Sequence, residues 1–241
     1  MSAADDETLN SRDNVEGSYI LPEPAQPTLI RELFNSVRYG ITTQVIDVLH
    51  KYPELANVTD NQGFTCVHWA AKKGDREMLE ILVEAGAQLD MPTVSESKML
   101  PIHWAASDGK ISSLSYLLDR RQDINAQDAN GCTPLVIAAQ HNQLDCVIFL
   151  IKNGADATLR DGNGDNALHW GAYKGYEEMV GLLTFLLPHE LDSEDTFGQV
   201  LSSYPSSILL YDEYTGHASH INLLNVCCYC VHIRLRSTWR L

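Results

Sequence analysis

The sequence predicts an all-α solenoid of about five helix-turn-helix repeats. Three observations predict it. The tripeptide His-Trp-Ala occurs at His68-Trp69-Ala70 and at His103-Trp104-Ala105, and His169-Trp170 is followed by Gly171-Ala172. These copies lie 35 and then 66 residues apart, and 66 is twice 33. The slot without a copy falls at Val136-Ile137-Ala138-Ala139. A second marker keeps the same beat, with Gly74, Gly109, Asn142 and Gly175 spaced by 35, 33 and 33. Between the markers, apolar residues recur at helical spacing, as in Leu144, Val147, Ile148 and Ile151. A fixed period near 33 describes an array of one small unit rather than a domain around a single central core.

Taken in order, the units predict helix pairs over about 28–52, 64–86, 99–120, 132–153 and 165–188. In the first, Leu29 to Asp60, Gly40 lies 34 before Gly74 and Phe34 stands where the later units carry His. A terminal repeat with one face in solvent should differ in this way. The fourth unit is the clearest. Thr133 caps a helix and Pro134 suits its first turn. Ala138 and Ala139 let neighbouring helices approach. Asn142 then breaks the chain, and a longer helix runs over 144–152. Asn153-Gly154 is a left-handed stop. Projecting turns are expected at Asp60–Gly63, Asp128–Gly131 and Asp161–Gly164.

Composition bounds the rest. With 32 acidic and 17 basic residues the formal charge is −15, which argues against nucleic acid and anionic membrane as partners. Residues 1–27 hold six acids, one base and three prolines, and read as a disordered acidic arm. No basic start followed by an apolar run suggests a signal peptide. Cys66, Cys132 and Cys146 sit inside repeats, which suggests a reducing, cytosolic setting. No apolar run approaches the ~20 residues that cross a bilayer, so no membrane insertion by this chain is expected. After Gln199 the beat stops. Residues 200–241 read as a non-repeat tail, either translation of a retained intron or a divergent extension.

Few residues suggest chemistry. His68, His103 and His169 lie on successive units, about 8–10 Å apart by helix packing. A shared zinc needs ligands near 2 Å from the metal. Buried imidazoles bridging backbone groups between units are the expectation. Cys227-Cys228-Tyr229-Cys230 and His232 lack a second spaced ligand pair. No metal site, cofactor or catalytic residue is assigned. The tryptophan row is better evidence. It reads either as space-filling packing or as aromatic platforms on a binding side.

These units resemble the ankyrin repeat, whose core is Thr-Pro-Leu-His-x-Ala-Ala, then Gly, then a leucine-rich helix. The core stands here as Thr65-Cys66-Val67-His68-Trp69-Ala70-Ala71 and Leu100-Pro101-Ile102-His103-Trp104-Ala105-Ala106. The other two copies are Thr133-Pro134-Leu135-Val136-Ile137-Ala138-Ala139 and Asn166-Ala167-Leu168-His169-Trp170-Gly171-Ala172. The resemblance implies protein or peptide partners, bound by variable positions on the first helices and turns. These include Asn61, Gln62, Phe64, Lys72, Lys73, Ser107, Asp108, Asn130, Gln140, His141, Tyr173 and Lys174, beside Trp69, Trp104 and Trp170.

The order of the row is similar to the ankyrin region of DHHC protein S-acyltransferases of the huntingtin-interacting type and their yeast relatives. This resemblance covers about residues 28–199. It includes the irregular link Asp90 to Leu100 and Leu182-Leu183-Thr184-Phe185. It implies a cytosolic module, on an endomembrane face in the whole enzyme, that recruits proteins for palmitoylation through extended aliphatic segments ending in Gln-Pro. The binding Trp of that family corresponds to Trp104. Its partner Asn is replaced here by Lys72-Lys73. No Asp-His-His-Cys occurs, so the chain as given is expected to recruit and not to catalyse. A free-standing ankyrin adaptor is the alternative.

Overall fold

The computed structural model describes residues 26–186. The tail expected at 200–241, the cysteines within it, and all but the last two residues of the expected arm lie outside these residues. Among those described, ten α-helices follow in five pairs, with a short 3₁₀ helix over Pro53–Asn57 after the first pair. They are α1 (Gln26–Tyr39) with α2 (Thr42–Lys51), α3 (Cys66–Lys73) with α4 (Arg76–Glu84), and α5 (Pro101–Ser107) with α6 (Ile111–Asp119). Then come α7 (Pro134–Gln140) with α8 (Leu144–Lys152), and α9 (Ala167–Lys174) with α10 (Glu177–Leu186). Each pair falls where the period places it. Residues 187 and 188, the end of the last expected pair, are outside the described region.

The first helices pack side by side in one layer, while α2, α4, α6 and α8 form a second layer behind. Small residues permit this closeness. Ala70, Ala71, Ala105, Ala106, Ala138 and Ala139 are fully buried, so helix backbones meet across single methyl groups. Leu79, Leu82, Leu114, Leu117, Val147 and Leu150 fill the space between layers.

The motif histidine builds the start of the first helices that carry it. The Thr65 hydroxyl accepts from the His68 amide, and His68 Nδ1 accepts from the Thr65 amide at 3.1 Å. This is a capping box with imidazole in the usual place of a Glu side chain. His103 Nδ1 accepts from the Leu100 amide at 3.0 Å in the same way. An Nδ1 that accepts leaves the proton on Nε2. That nitrogen reaches into the next unit, to the carbonyl of Met99 from His68 (3.1 Å) and of Ala126 from His103 (2.9 Å). The bridging role expected for the buried imidazoles is therefore present at His68 and His103. Thr133 caps α7 and Asn142 turns at φ 56°, as the sequence predicts.

The turns at Asp60, Asp128 and Asp161 project as expected, and they share one construction. Each Asp Oδ1 accepts the amides two and four residues on, from Gln62 and Phe64, Asn130 and Cys132, and Asn163 and Asp165. Successive turns are tied through Val94 N–H to Gly63 O, Ala129 N–H to Ser97 O, and Gly162 N–H to Asn130 O (2.7 Å). No strand occurs among the described residues, only an isolated bridge between Thr59 and Thr65.

Candidate peptide-binding surface

The row of first helices brings the tryptophans to one side, next to the turns. Each ring is half-buried. What differs is the fate of the indole N–H. Trp69 Nε1 donates to Asp60 Oδ2 at 3.0 Å, and Trp170 Nε1 donates to Asp161 Oδ2 at 2.8 Å. In both cases the acceptor lies nine residues earlier, so the turn that an Asp organises also anchors the next tryptophan.

Trp104 breaks the rule. Its Nε1 is buried and has no hydrogen-bond partner among the described residues. The cause lies in the sequence of its turn. That turn is two residues longer, and Thr93 takes the place of the Asp: its N–H bonds Met99 O as Asp60 N–H bonds Phe64 O. A hydroxyl chain replaces the carboxylate, with Thr93 Oγ1 2.8 Å from Ser95 Oγ and Ser95 Oγ 3.0 Å from Ser97 Oγ. None of these reaches the indole.

Around Trp104 stands an aromatic cluster. Phe64 lies 4.4 Å away between centroids, Trp69 5.8 Å and His68 5.9 Å, all tilted towards edge-on geometry. Lys72 holds its ammonium 4.8 Å from the Trp104 centroid. Arg38 does the same for Trp69, at 3.8 Å, while bonding Asp60 Oδ2 at 3.2 Å. Cations from the last turn of one first helix therefore cover the tryptophan of the next unit.

The expected site residues do not form one group. Trp69, Trp104 and Lys72 come together with Phe64. Lys73 turns away, against Gly40 and towards Asp75 (3.8 Å). Ser107 Oγ is turned inward onto Trp104 O and Asp108 Oδ1, and Gln143 takes up Ser107 O. A second group forms around Trp170. Tyr173 is exposed and meets Trp170 edge-on at 5.9 Å, while Gln140 and exposed His141 border a cleft of about 630 Å³. Arg38, Asp60, Cys132 and Asp161 were not among the residues expected from sequence. The nine-residue offset from Asp60 to Trp69, repeated from Asp161 to Trp170, is the signal that would have found the two carboxylates.

The titratable groups give little chemistry. Burial pushes the His68 imidazole down to about 4 and lowers that of His103, despite their carbonyl partners. Burial, aided by Asp60, pushes the Cys66 thiol up to about 12; Cys132 reaches about 12 and Cys146 about 11, also chiefly by burial. Such thiols are poor nucleophiles. Among the described residues no group of three His, Cys, Asp or Glu is placed to hold a metal ion, and no helix is long and apolar enough to cross a membrane.

A family model described as ankyrin repeats (3 copies) matches residues 33–128 and 102–195. The chain belongs to the ankyrin-repeat family. Its ankyrin repeats make it a protein–protein interaction module. The chain is similar over part of its length to proteins of different kinds. The chain is 33% identical over 138 residues to Transient receptor potential cation channel subfamily A member 1 of Homo sapiens, covering 56% of this chain and 12% of the channel. It is 33% identical over 112 residues to a probable E3 ubiquitin-protein ligase, XBOS31, of Oryza sativa subsp. japonica, covering 46% of this chain and 25% of that protein. It is 28% identical over 144 residues to Palmitoyltransferase AKR1 of Lachancea kluyveri, covering 58% of this chain and 19% of that enzyme. The matched ankyrin segment thus spans a quarter or less of each of these relatives.

Proposed function

We propose that this ankyrin region docks short extended peptides along the Trp69–Trp104 face and recruits substrates for a protein S-palmitoyltransferase. The observation that supports the reading is Trp104. It is half-buried, packed among Phe64, Trp69 and Lys72, and its N–H has no acceptor. A buried donor left unpaired costs about 1–3 kcal/mol. The nitrogen is enclosed, so a peptide carbonyl offsets that cost only once the side chains over it shift aside, while the ring cluster takes an aliphatic side chain. Lys72 replaces the Asn of the resembling family and favours a carbonyl or carboxylate nearby. In this reading residues 28–199 are the docking domain, between an acidic arm at 1–27 and a tail at 200–241. The setting is the cytosolic face of an endomembrane.

Truncating a central aromatic anchor often costs ~2 kcal/mol or more, over tenfold in affinity. Trp104→Ala should therefore weaken an aliphatic Gln-Pro peptide at least ~10-fold in calorimetry. Ile46→Ala, on the exposed side of α2, should not. Equal affinity of both variants, with the fold intact, would sink the docking role of Trp104.

A free-standing adaptor is the second reading. It is favoured by the similarity to a channel and a ubiquitin ligase, which is no weaker than that to the palmitoyltransferase. Genomic sequence beyond the Gln199 codon separates the two. Membrane helices and an Asp-His-His-Cys motif there support the first, and their absence supports the second.

A further inference from the structure

We propose that the cleft beside Trp170 binds an arginine side chain of a partner protein. The repeat itself supplies the comparison. Four residues after the histidine slot, successive first helices carry Arg38, Lys72, Ser107 and Gln140. Arg38 fills a receptor made by the next unit: its guanidinium bonds Asp60 Oδ2 at 3.2 Å and stacks 3.8 Å from the Trp69 centroid. The unit that follows Gln140 rebuilds the same receptor, with Asp161 Oδ2 holding Trp170 Nε1 at 2.8 Å. Here, among the described residues, no cation takes the place of Arg38. Gln140 stops short, with Nε2 3.6 Å from Cys132 Sγ.

A second exchange opens the space. One residue before its helix cap, the unit preceding Trp104 carries Phe64, whose ring packs on that tryptophan at 4.4 Å. The corresponding residue beside Trp170 is Cys132. A thiol in place of a phenyl ring leaves the cleft of about 630 Å³ lined by Cys132, Ile137, Gln140, His141, Asp161 and Trp170. Among the described residues, the other neighbour of Asp161 Oδ2 is the Cys132 thiol, at 3.9 Å. Asp128 also lines the cleft, so two carboxylates border it.

Two cations stand near. Lys174 Nζ is 5.9 Å from the Trp170 centroid and 5.6 Å from Tyr173, much farther than Arg38 stands from its ring. Arg160 Nη1 is used on Gly164 O within the turn. Neither occupies the position that Arg38 takes on its own receptor. A planar guanidinium suits this pair better than an ammonium, because it can face the indole and bond the carboxylate at once. The chain's charge of −15 favours approach of a basic segment. The site is separate from the Trp104 face, and either can fail alone.

The test uses the full chain labelled with ¹⁵N, with the Trp170 indole resonance assigned through Trp170→Phe. N-acetyl-arginine amide should shift that resonance saturably and leave the Trp69 resonance, already covered by Arg38, in place. N-acetyl-citrulline amide, equal in shape but uncharged, should bind at least ~10-fold more weakly. Gln140→Arg should abolish the response by filling the cleft from within, whereas Gln140→Ala should keep it. An unresponsive Trp170, equal response to citrulline, or full response in folded Gln140→Arg would each overturn the proposal.

Discussion

His68 and His103 each hold a helix start with one ring nitrogen and the next unit with the other. The first role requires the neutral ring, because a protonated Nδ1 cannot accept, while the Nε2–H bond survives protonation. The His68 pKa falls to about 4 when folded, against an ordinary value near 6.5, and that of His103 is lowered in the same direction. The sign follows from proton counting. Above about pH 6.5 the ring is neutral in both states and its contribution is complete. Between there and about pH 4 the unfolded chain binds a proton that the folded chain refuses. Stability then falls by up to ~1.4 kcal/mol per pH unit for each histidine. Denaturant midpoints measured from pH 7.5 to pH 4 should drop across this window and flatten above it. A midpoint that holds constant down to pH 4 would contradict the assigned ring state. The histidines were legible in the sequence because each is repeated at one period. The receptor at Trp170 was not. It depends on contacts that cross from one unit to the next, Arg38 to Trp69 and Cys132 to Asp161 beside Trp170. Reading down the His-Trp column does not reveal a diagonal contact.

At the scale of elements, each projecting turn is built against the next. Gly131 shows why. It sits at φ 76°, and a Cβ there would come within 2.9 Å of the Gly162 nitrogen, part of the next turn's backbone. Gly131→Ala therefore meets both a disfavoured conformation and a backbone clash, with no flexible side chain to give way. A loss of ~1–3 kcal/mol in chemical denaturation is expected. A change under ~0.5 kcal/mol, the range of an ordinary surface substitution, would show that the turns adjust independently. The turn positions themselves were legible from Asp-x-x-Gly at the expected beat. The longer turn over Thr93–Met99 was legible only as an irregular link. Its consequence, an indole without its carboxylate, required the positions of the hydroxyls.

Over the whole molecule, burial is uneven along the array. Leu79, Leu82, Leu114, Leu117, Val147 and Leu150 are fully enclosed by neighbouring units. In α10, Phe185 and Leu186 remain 41% and 40% exposed. Each 100 Å² of apolar surface left in water forgoes about 2.5 kcal/mol of burial. In a solenoid such a deficit stays local, since each repeat contacts only its neighbours. Amides of 165–186 should thus exchange faster than those of 64–153. Deleting 200–241 should leave that difference unchanged. Exchange followed by mass spectrometry on both chains decides it: tail-dependent protection of α9 and α10 would mean that residues 200–241 act as a cap.

The ties between successive turns and the Nε2–H bonds from one unit to the next carry load as well as hold register. All run between immediate neighbours, so none spans the array. Pulled by its ends, the chain should behave as a chain of separate latches. Each latch would release one unit of about 33 residues. At ~3.3–3.6 Å per extended residue, a released unit adds roughly 110 Å of contour. Force–extension traces should show steps of that size, beginning with the last pair. A single rupture of the entire array would mean that the latches act in concert.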